Sequence, residues 1–458
     1  MINNNNNKTI WEPAKEIPVK YEVDVLVLGG GPAGFSTAVN AARQGVDVLL
    51  LEQSGMIGGQ ATSGLMSHWT GLTEGPFYDE LLERCPYAKV RLKKGFFWYY
   101  LSPNEEEIPI WEEGSYPAGR FEFKRNQHYL IKIIAGERRI AIECFHALTD
   151  GTGALSYLKL LLERYCSLAG IVDAVFTDGL CFTSKSDAHE FSDPFQMLYD
   201  RTIRPFPSVS RAYHRKGRGE RSEAVKVIRA EVGIKEIKER AKARSLTIGE
   251  YLSAVFLMSL QQLQGEQVPV KRKRRPIRLS VPMNLRKVFA TETMRNFTLF
   301  ALIGIDPALG WYTFDEIATQ VRLQMAQAVQ PKLLLSQIRR NVAGERSAAL
   351  RFAPTLLKNP LFKLLSDALG DQQYSGVISN LGYVSLPDAL SPVVTAMDFH
   401  LSPGLVNPVS VAVVGYRDSL AINFTSYHDD DTVLERLFCT FLVEDGIAVS
   451  VASNREGM

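Results

Sequence analysis

The chain has 458 residues, 46% hydrophobic and 22% charged, a composition typical of folded globular proteins with two or three domains. Its formal net charge of +2 gives no general attraction to nucleic acids or anionic membranes, and its five cysteines form no CxxC pair. The scattered cysteines argue against a metal centre and fit a reducing cytoplasm, so we expect a cytoplasmic protein. Because the net charge is small and no apolar run is long enough to cross a bilayer, we expect it to bind neither nucleic acid nor membrane.

Residues 1–20 are polar and asparagine-rich, and we expect them to be a disordered lead-in. A strand–helix–strand pattern follows. Val23–Leu28 is typical of a buried strand, an alanine-rich helix is predicted to about Gln44, and Val46–Leu51 is predicted as a second strand. This order indicates a βαβ unit.

The turn after the first of these strands carries glycines at the spacing G-x-G-x-x-G of dinucleotide-binding folds. Gly29 would make the tight turn, and Gly31 would let a pyrophosphate approach the helix N-terminus. Gly34 would let the helix pack on the strand, and Glu52 would accept a hydrogen bond from a ribose hydroxyl. The pattern therefore predicts a dinucleotide fingerprint.

These residues, with a following segment that contains Gly58 and Gly59, resemble the N-terminus of FAD-dependent oxidoreductases of the heterodisulfide-reductase-A-like group. The resemblance implies FAD, and some members carry a [4Fe–4S] cluster, whose cysteines this chain lacks. The likeness covers about residues 20–84 and then stops. We favour an isolated βαβ fragment without a competent flavin site, and the alternative is a flavin-binding oxidoreductase fragment.

Beyond this region the alternation of β-forming residues predicts strands at Val90–Leu101, Phe121–Ile134 and Arg139–Phe145. A helix is predicted over Gly153–Ser167, because leucines recur there at helical spacing. The next stretch, residues 176–225, is polar and broken by prolines, and we expect a long surface connection.

His146 and Asp150 lie where the last of these strands gives way to the helix. An imidazole can take and return a proton near neutral pH, and a loop on a rigid scaffold can present it to a substrate. Asp150 could turn back onto the local backbone or pair with a distant arginine. Gly151 would let the chain turn sharply and let a substrate come close. By itself so short a motif is also compatible with a surface histidine.

Residues 146–151 resemble the HxxxDG signature of the chloramphenicol acetyltransferase-like superfamily, which includes condensation domains, BAHD acyltransferases and alcohol acetyltransferases. Residues 90–101, 280–286 and 377–382 resemble, in the same order, strands of a bacterial alcohol acetyltransferase-like subgroup. The resemblance implies an α/β fold with two similar halves that face each other across a channel. We place these halves at 85–230 and 231–458, after a truncated Rossmann-type βαβ unit at 21–84.

The resemblance also implies the chemistry. His146 would be the general base that deprotonates a small-molecule alcohol or amine, which attacks the thioester of acyl-CoA or of an acyl-carrier protein. Asp150 would be structural, and Arg286 is its candidate partner, although a surface arginine is an equal interpretation. For His400 we favour a packed side chain over a second catalytic group.

The sequence changes character near residue 84, where the first strand and helix usual in such acyltransferases are replaced by flavoprotein-like sequence. The chain therefore has the look of a fusion of two truncated genes or of an assembly artefact. We favour an acyltransferase with a vestigial flavoprotein N-terminus. The alternatives are a flavoprotein fragment and an inactive fusion product.

The second half is predicted as a series of strands and helices. Two helices are expected over Ile234–Leu263, the second capped by Thr247 with Glu250 three positions on. The remaining predicted elements are strands at 277–281, 297–305, 376–378, 409–416 and 419–425 and helices at 313–328 and 431–443.

Overall fold

The chain divides into two compact units, Met1–Leu72 and Thr73–Met458. The structure is a computed structural model. It describes residues 23–28, 41, 45–51, 90–94, 99–114, 121–171, 192–207, 209–215, 221–347, 354–355, 371–404, 407, 409–428 and 432–454.

In the first unit two short strands pair in parallel, β1 (Val25–Leu28) and β2 (Val48–Leu51). Parallel neighbours need a crossover connection, so the pairing agrees with the predicted βαβ unit. The glycines and the acid of the predicted fingerprint lie outside the described residues: Gly29, Gly31, Gly34, Glu52, Gly58 and Gly59.

The second unit contains the other strands and all the longer helices that the structure describes. Its strands are β3 (Val90–Lys94), β4 (Tyr99–Pro103), β5 (Ile110–Glu112), β6 (Ile131–Ala135), β7 (Ile140–Cys144), β8 (Arg221–Gly233), β9 (Ile277–Asn284), β10 (Thr298–Ile305), β11 (Gly376–Tyr383), β12 (Val409–Tyr416), β13 (Ser419–His428) and β14 (Val449–Ser453). Its α-helices are α1 (Gly151–Leu168), α2 (Pro194–Met197), α3 (Ile234–Ala243), α4 (Ile248–Gln267), α5 (Phe314–Ala328), α6 (Pro331–Arg346) and α7 (Val433–Glu444).

A seven-stranded mixed sheet carries the larger core, in the order β10-β9-β11-β12-β13-β8-β14. The pairs β9–β11 and β11–β12 are parallel and the other pairs are antiparallel. Every residue of β12 is buried, as expected of a central strand covered on both faces. Phe438 of α7 packs edge-on against Phe256 of α4 and Phe424 of β13, with ring centroids 6.2 and 5.2 Å away.

A smaller three-stranded sheet, β5-β6-β7, supports the loop that follows β7. The β5–β6 pair is parallel and the β6–β7 pair is antiparallel. This sheet and helix α1 share a second core, in which Tyr129, Tyr157 and Leu160 are fully buried. Because α1 packs here directly after β7, the chain between them is held at both ends.

The predicted strand at Phe121–Ile134 is wrong over its first half. The strand is β6, and residues 123–128 form turns in which Gln127 and His128 have φ angles of 48° and 62°. The buried side chain of Asn126 donates to the carbonyls of Tyr129 and Ile131, which stabilises the turn from within. The alternation of residue types in the sequence cannot reveal this turn, because the turn depends on the hydrogen bonds of a single side chain, Asn126.

The second half agrees with most of the predicted elements. Helices α3 and α4 are confirmed, and so is the capping box: Thr247 Oγ1 accepts from the Glu250 N–H at 3.2 Å, and Glu250 Oε2 accepts from the Thr247 N–H at 2.8 Å. The sequence did not predict β8, β14 or α6. The boundary placed between residues 230 and 231 stays a prediction, and it lies inside β8, which pairs with β13 and β14.

Candidate active site

The loop between β7 and α1 is short and is fixed by its own backbone and by a helix cap. The N–H of Phe145 donates to the Leu130 carbonyl at 2.8 Å, which continues the sheet into the loop. Asp150 is the N-cap of α1, and its Oδ1 accepts from the N–H groups of Thr152 and Gly153 at 3.1 and 3.2 Å. The carboxylate thus satisfies two amides that a helix start leaves unpaired.

The other oxygen of the same carboxylate binds a segment far along the chain. Oδ2 of Asp150 accepts from Arg286 Nη1 at 2.7 Å, from the Phe297 N–H at 2.8 Å and from Thr298 Oγ1 at 3.2 Å. The Asp150 and Arg286 side chains are only 3% and 13% exposed. A buried ion pair is tolerated when its remaining hydrogen-bonding capacity is used, as it is here.

The other N–H groups of Arg286 donate to the backbone between β9 and β10. Nε donates to the Thr293 carbonyl at 2.9 Å, and Nη2 donates to the Arg295 carbonyl at 2.6 Å. Its backbone N–H donates to Asn284 Oδ1 at 3.0 Å. The guanidinium therefore orders residues 293–295 and Asp150 together, and the surface-arginine interpretation is not what the structure has.

His146 lies on the exposed side of this loop. Its neighbour is Asn296, which belongs to the connection between β9 and β10. Asn296 Nδ2 is 3.0 Å from His146 Nδ1 and 3.2 Å from the His146 carbonyl oxygen. A second contact ties the same two segments, because Thr149 Oγ1 donates to the Met294 carbonyl at 2.6 Å. Nothing in the sequence pattern marked Asn296, which lies in an irregular connection between two strands.

We expected Gly151 to allow a sharp turn after Asp150, but the structure gives Gly151 and Gly153 other roles. Gly151 is the first residue of α1 and has no positive φ, so the predicted sharp turn there is wrong. A Cβ on Gly151 would lie 3.3 Å from Leu381 Cδ1, whereas one on Gly153 would overlap Thr149 Oγ1 and lie 2.8 Å from the Met294 carbonyl. Gly153 thus permits the close approach between the loop and residues 293–298.

Burial also shifts the pKa of a cysteine and of a second histidine in this unit. Burial raises the pKa of the Cys144 thiol to about 12, so it remains protonated at neutral pH. Burial lowers the pKa of His400, against an opposing effect of Asp398. Its buried Nδ1 has no hydrogen-bond partner in the described part of the chain, in keeping with a packed side chain.

The described residues contain no group of three or more His, Cys, Asp or Glu side chains that could hold a metal ion. In the same part of the chain, none of the helices is both long and apolar enough to cross a membrane.

Solved structures of the fold were found by comparison. Two crystal structures of F. graminearum TRI101, complexed with coenzyme A and with either T-2 mycotoxin or deoxynivalenol, each superimpose with a TM-score of 0.52. They are 9% and 10% identical in sequence, and each match covers 81% of this chain and 90% of the other. At this identity the likeness shows the fold alone.

The mixed sheet and its helices form an α/β fold that is shared with these crystal structures of TRI101. Residues 208–445, more than half of the sequence, match the family model of alcohol acetyltransferase. The chain belongs to the alcohol acetyltransferase family.

Residues 24–151 match a second family model, FAD dependent oxidoreductase. Short curated matches exist to the fumarate reductase (cytochrome) of Shewanella frigidimarina, 45% identical over 51 residues, and to the NADH oxidase of Thermoanaerobacter brockii, 43% identical over 51 residues. They cover 10% and 11% of this chain, which spans only 9% and 8% of the two relatives. The fusion that the sequence indicated is therefore present.

The flavoprotein match extends past residue 84, where we expected the likeness to end. Its last residues, Asp150 and Gly151, nevertheless belong to the second compact unit. Asp150 binds Arg286 and residues 297–298, all within the alcohol acetyltransferase match. Residues 90–151 thus lie in the same compact unit as the alcohol acetyltransferase match.

Proposed function

We propose that this chain transfers an acyl group from acyl-CoA to a small-molecule alcohol or amine, with His146 as general base. The observation that carries the proposal is the position of His146. It is exposed on a loop whose other end is locked by the buried Asp150–Arg286 pair. Membership of the alcohol acetyltransferase family supports the reaction class, and coenzyme A bound to TRI101 supports the donor.

His146 would take the proton of the acceptor hydroxyl or amine as that atom attacks the thioester carbonyl. The new acyl–oxygen or acyl–nitrogen bond forms and the carbon–sulfur bond breaks. The imidazolium then returns the proton to the leaving thiolate, so that the base is regenerated. Asp150 takes no proton in this scheme, because two donors occupy its Oδ1 and three occupy its Oδ2.

The donor has two candidate forms, a free acyl-CoA and an acyl group on a carrier protein. We favour acyl-CoA, and the two forms separate in one experiment. Thiol release is followed with acetyl-CoA and with an acetylated carrier protein, each with a panel of alcohols and amines. Thiol release from the acetylated carrier protein but not from acetyl-CoA would show that the donor is a carrier protein.

The test of the base is His146→Ala, with His128→Asn as the matched control. His128 is an exposed histidine whose φ of 62° asparagine tolerates, so this control removes an imidazole without backbone strain. We expect His146→Ala to lower the rate of thiol release by about 10²–10⁴-fold and His128→Asn to leave it unchanged. Full activity in His146→Ala contradicts the proposal. A folded, monodisperse wild type that is inactive with every donor and acceptor indicates the inactive fusion product.

A second candidate function is flavin binding by the first unit, favoured by the parallel β1–β2 pair and by the family match over residues 24–151. The described residues of that unit supply this one parallel pair, and the residues of the predicted fingerprint lie outside them. The visible spectrum of the purified full chain tests the candidate: flavin absorbance that Gly31→Val removes supports it, and a colourless protein that takes up no added FAD refutes it.

A further inference from the structure

The side-chain amide of Asn284, at the end of β9, has an orientation that its neighbours determine. Its Oδ1 lies 3.0 Å from the backbone nitrogen of Arg286 and 3.3 Å from Arg286 Nη1, and both of these nitrogens donate. An amide oxygen accepts hydrogen bonds, whereas an amide nitrogen can only donate. The oxygen therefore faces Arg286, and the amide nitrogen Nδ2 faces away from it.

Nδ2 of Asn284 contacts a hydroxyl at the start of α1. It lies 3.0 Å from Oγ1 of Thr152 and donates to it. A hydroxyl that accepts through a lone pair still carries one hydrogen, which points away from the donor. No residue in the described part of the chain accepts this hydrogen. Because Thr152 is partly exposed, its O–H group can donate to a bound molecule.

Two neighbouring hydroxyls of the same junction donate to protein acceptors. Thr149 Oγ1 donates to the Met294 carbonyl at 2.6 Å, and Thr298 Oγ1 donates to the Asp150 carboxylate at 3.2 Å. Carbonyls and carboxylates can only accept, so the direction of both hydrogen bonds is fixed. Thr152 differs from them, because none of the described residues accepts from its hydroxyl.

Thr152 and His146 are held against the same end of the β9–β10 pair. Asn284 is the register partner of Thr298, and Asn296, which contacts His146, lies two residues before Thr298. Two residues of chain span at most about 7 Å and paired strands are about 5 Å apart, so the Cα atoms of Asn284 and Asn296 lie within roughly 12 Å of each other. The two asparagines therefore hold the imidazole and the hydroxyl at one site.

We propose that Thr152 is a catalytic residue whose hydroxyl donates to the oxygen of the thioester carbonyl, an inference that rests on the proposed function. When the acceptor atom attacks, an electron pair of the C=O double bond moves onto that oxygen, and the oxyanion accepts from Thr152 Oγ1. Collapse of the tetrahedral intermediate re-forms the double bond and breaks the carbon–sulfur bond. Thr152 keeps its proton throughout, and the leaving thiolate receives its proton from His146.

Asn284 is the positioning residue in this scheme. Because its Nδ2 occupies a lone pair of Thr152 Oγ1, the hydroxyl hydrogen cannot turn back toward β9. Donors that are already oriented stabilise a developing charge most, because they need no reorganisation during the reaction. The amide is held in turn by Arg286, whose guanidinium binds Asp150. One hydrogen-bond network thus links the loop that carries His146 to the hydroxyl of Thr152.

The first test is the rate of thiol release from acetyl-CoA by Thr152→Val, which removes the hydroxyl and keeps the branched shape. Loss of one oxyanion donor costs about 10²–10³-fold, so we expect kcat to fall by this factor with KM for acetyl-CoA unchanged. Thr152→Ser keeps a hydroxyl and should retain most of the activity. The matched control is Ser156→Ala, one turn further along α1, where the lost hydroxyl donates to a helix carbonyl and kcat should stay at the wild-type value.

Wild-type kcat in Thr152→Val overturns the inference. A raised KM with unchanged kcat overturns it as well, because the hydroxyl would then bind the substrate no less than the transition state. Thr152→Ala serves for the same measurement if the valine variant does not fold.

Affinity for a mimic of the tetrahedral intermediate separates an oxyanion donor from a merely structural residue. The probe is trifluoroacetonyl-CoA, a ketone whose carbonyl hydrates to a tetrahedral centre that can ionise. We expect Thr152→Val to raise its Kd by a factor similar to the loss in kcat and to leave the Kd of CoA unchanged. Equal Kd values of the probe for the wild type and the variant would contradict the role of the hydroxyl.

Asn284→Asp tests the positioning role. The carboxylate can still accept from Arg286, but it has no hydrogen to donate, so the Thr152 hydroxyl turns and donates to it. We expect kcat to fall nearly as far as in Thr152→Val, and the double variant Asn284→Asp/Thr152→Val to fall no further than Thr152→Val alone. Losses that multiply in the double variant would show that Asn284 acts independently of Thr152.

These outcomes are distinguishable from failure of the proposed function. If His146→Ala keeps its activity, His146 is not the base, while a loss in Thr152→Val still identifies the oxyanion donor. If His146→Ala is inactive and Thr152→Val keeps the wild-type kcat, the base stands and the oxyanion donor does not. A wild type that releases no thiol from any donor overturns both.

Discussion

Asp150 shows how a charged side chain can be buried in a folded protein when hydrogen-bond donors surround it. Its two oxygens accept from a helix start, a guanidinium, a strand backbone and a hydroxyl. Each donor stabilises the ionised carboxylate, and together they replace the water that burial removes. The residue therefore holds the loop that carries His146.

Removal of the guanidinium tests this interpretation. In Arg286→Met the carboxylate stays buried without its cationic partner, and we expect the free energy of unfolding to fall by about 3–5 kcal/mol. Arg295→Met is the control, because Arg295 is 45% exposed and its pair with Asp193 is long, so a loss of about 0–1 kcal/mol is expected. Urea unfolding at pH 7.5 measures both. Equal losses in the two variants would contradict a structural role for the buried pair.

His400 gives a second prediction at the same scale. Burial lowers its pKa below the usual 6.5, so the unfolded chain binds more protons than the folded chain as the pH falls below 6.5. Its contribution is fully present above pH 6.5 and is lost as the pH falls toward the folded pKa. Urea unfolding at pH 7.5 and 5.5 should show a smaller acid loss in His400→Gln than in the wild type. An identical loss would show that His400 does not titrate in this window.

The resemblance to a known superfamily led to Asp150 and its candidate partner Arg286, and the structure brings them together. It did not lead to Asn296. That residue contacts His146 through one amide in an irregular connection, and such a contact depends on tertiary placement rather than on any local period. The same limit explains Gly151 and Gly153, whose neighbours come from distant segments of the chain.

At the scale of single elements, helix α1 begins where two segments of backbone come unusually close. Gly153 has no room for a side chain, because a Cβ would lie 2.8 Å from the Met294 carbonyl. This closeness lets Thr149 and Asp150 both reach residues 293–298. The start of α1 is therefore set by packing as much as by its cap.

A methyl group tests the element directly. We expect Gly153→Ala to lower the free energy of unfolding by about 1–3 kcal/mol, since the loop must move away from residues 293–294. Gly114→Ala is the matched control, because a Cβ there meets nothing within 4 Å and its φ is not positive. Chemical denaturation compares them. A Gly153→Ala variant as stable as the control would show that the backbone gives way without cost.

The elements that consist of long apolar stretches, such as α4 and β12, could be predicted from the sequence, and both are buried over most of their residues. It failed for β8, which lies after a polar, proline-broken stretch and begins with charged residues. It failed also for β14, a short edge strand with three exposed residues at its centre. These strands are specified by their partners in the large sheet, which the local pattern cannot show.

At the scale of the whole molecule, β8 determines where the chain can be divided. Residues 226–233 of β8 pair with β13 on one side, and residues 228–232 pair with β14 on the other. A break between residues 230 and 231 would cut this strand within both ladders. A break at 217–218, before the strand begins, leaves the whole sheet on one fragment.

Co-expression of split chains measures the difference. We expect fragments divided at 217–218 to assemble into a soluble complex that releases thiol from acetyl-CoA, and fragments divided at 230–231 to fail. Size-exclusion chromatography and the thiol assay report assembly and activity separately. Equal recovery from the two breaks would favour the domain boundary predicted from the sequence.

The partners Asp150 and Arg286 are separated by 136 positions. On a ribosome that adds about 5–20 residues per second, roughly 7–30 s pass between the synthesis of the two. During this interval the Asp150 carboxylate lacks both the Arg286 guanidinium and the backbone of β10 and its preceding residue. The loop that carries His146 is therefore not yet held in place. The growing polypeptide thus cannot hold this loop in its final position until residues 286–298 have emerged from the ribosome.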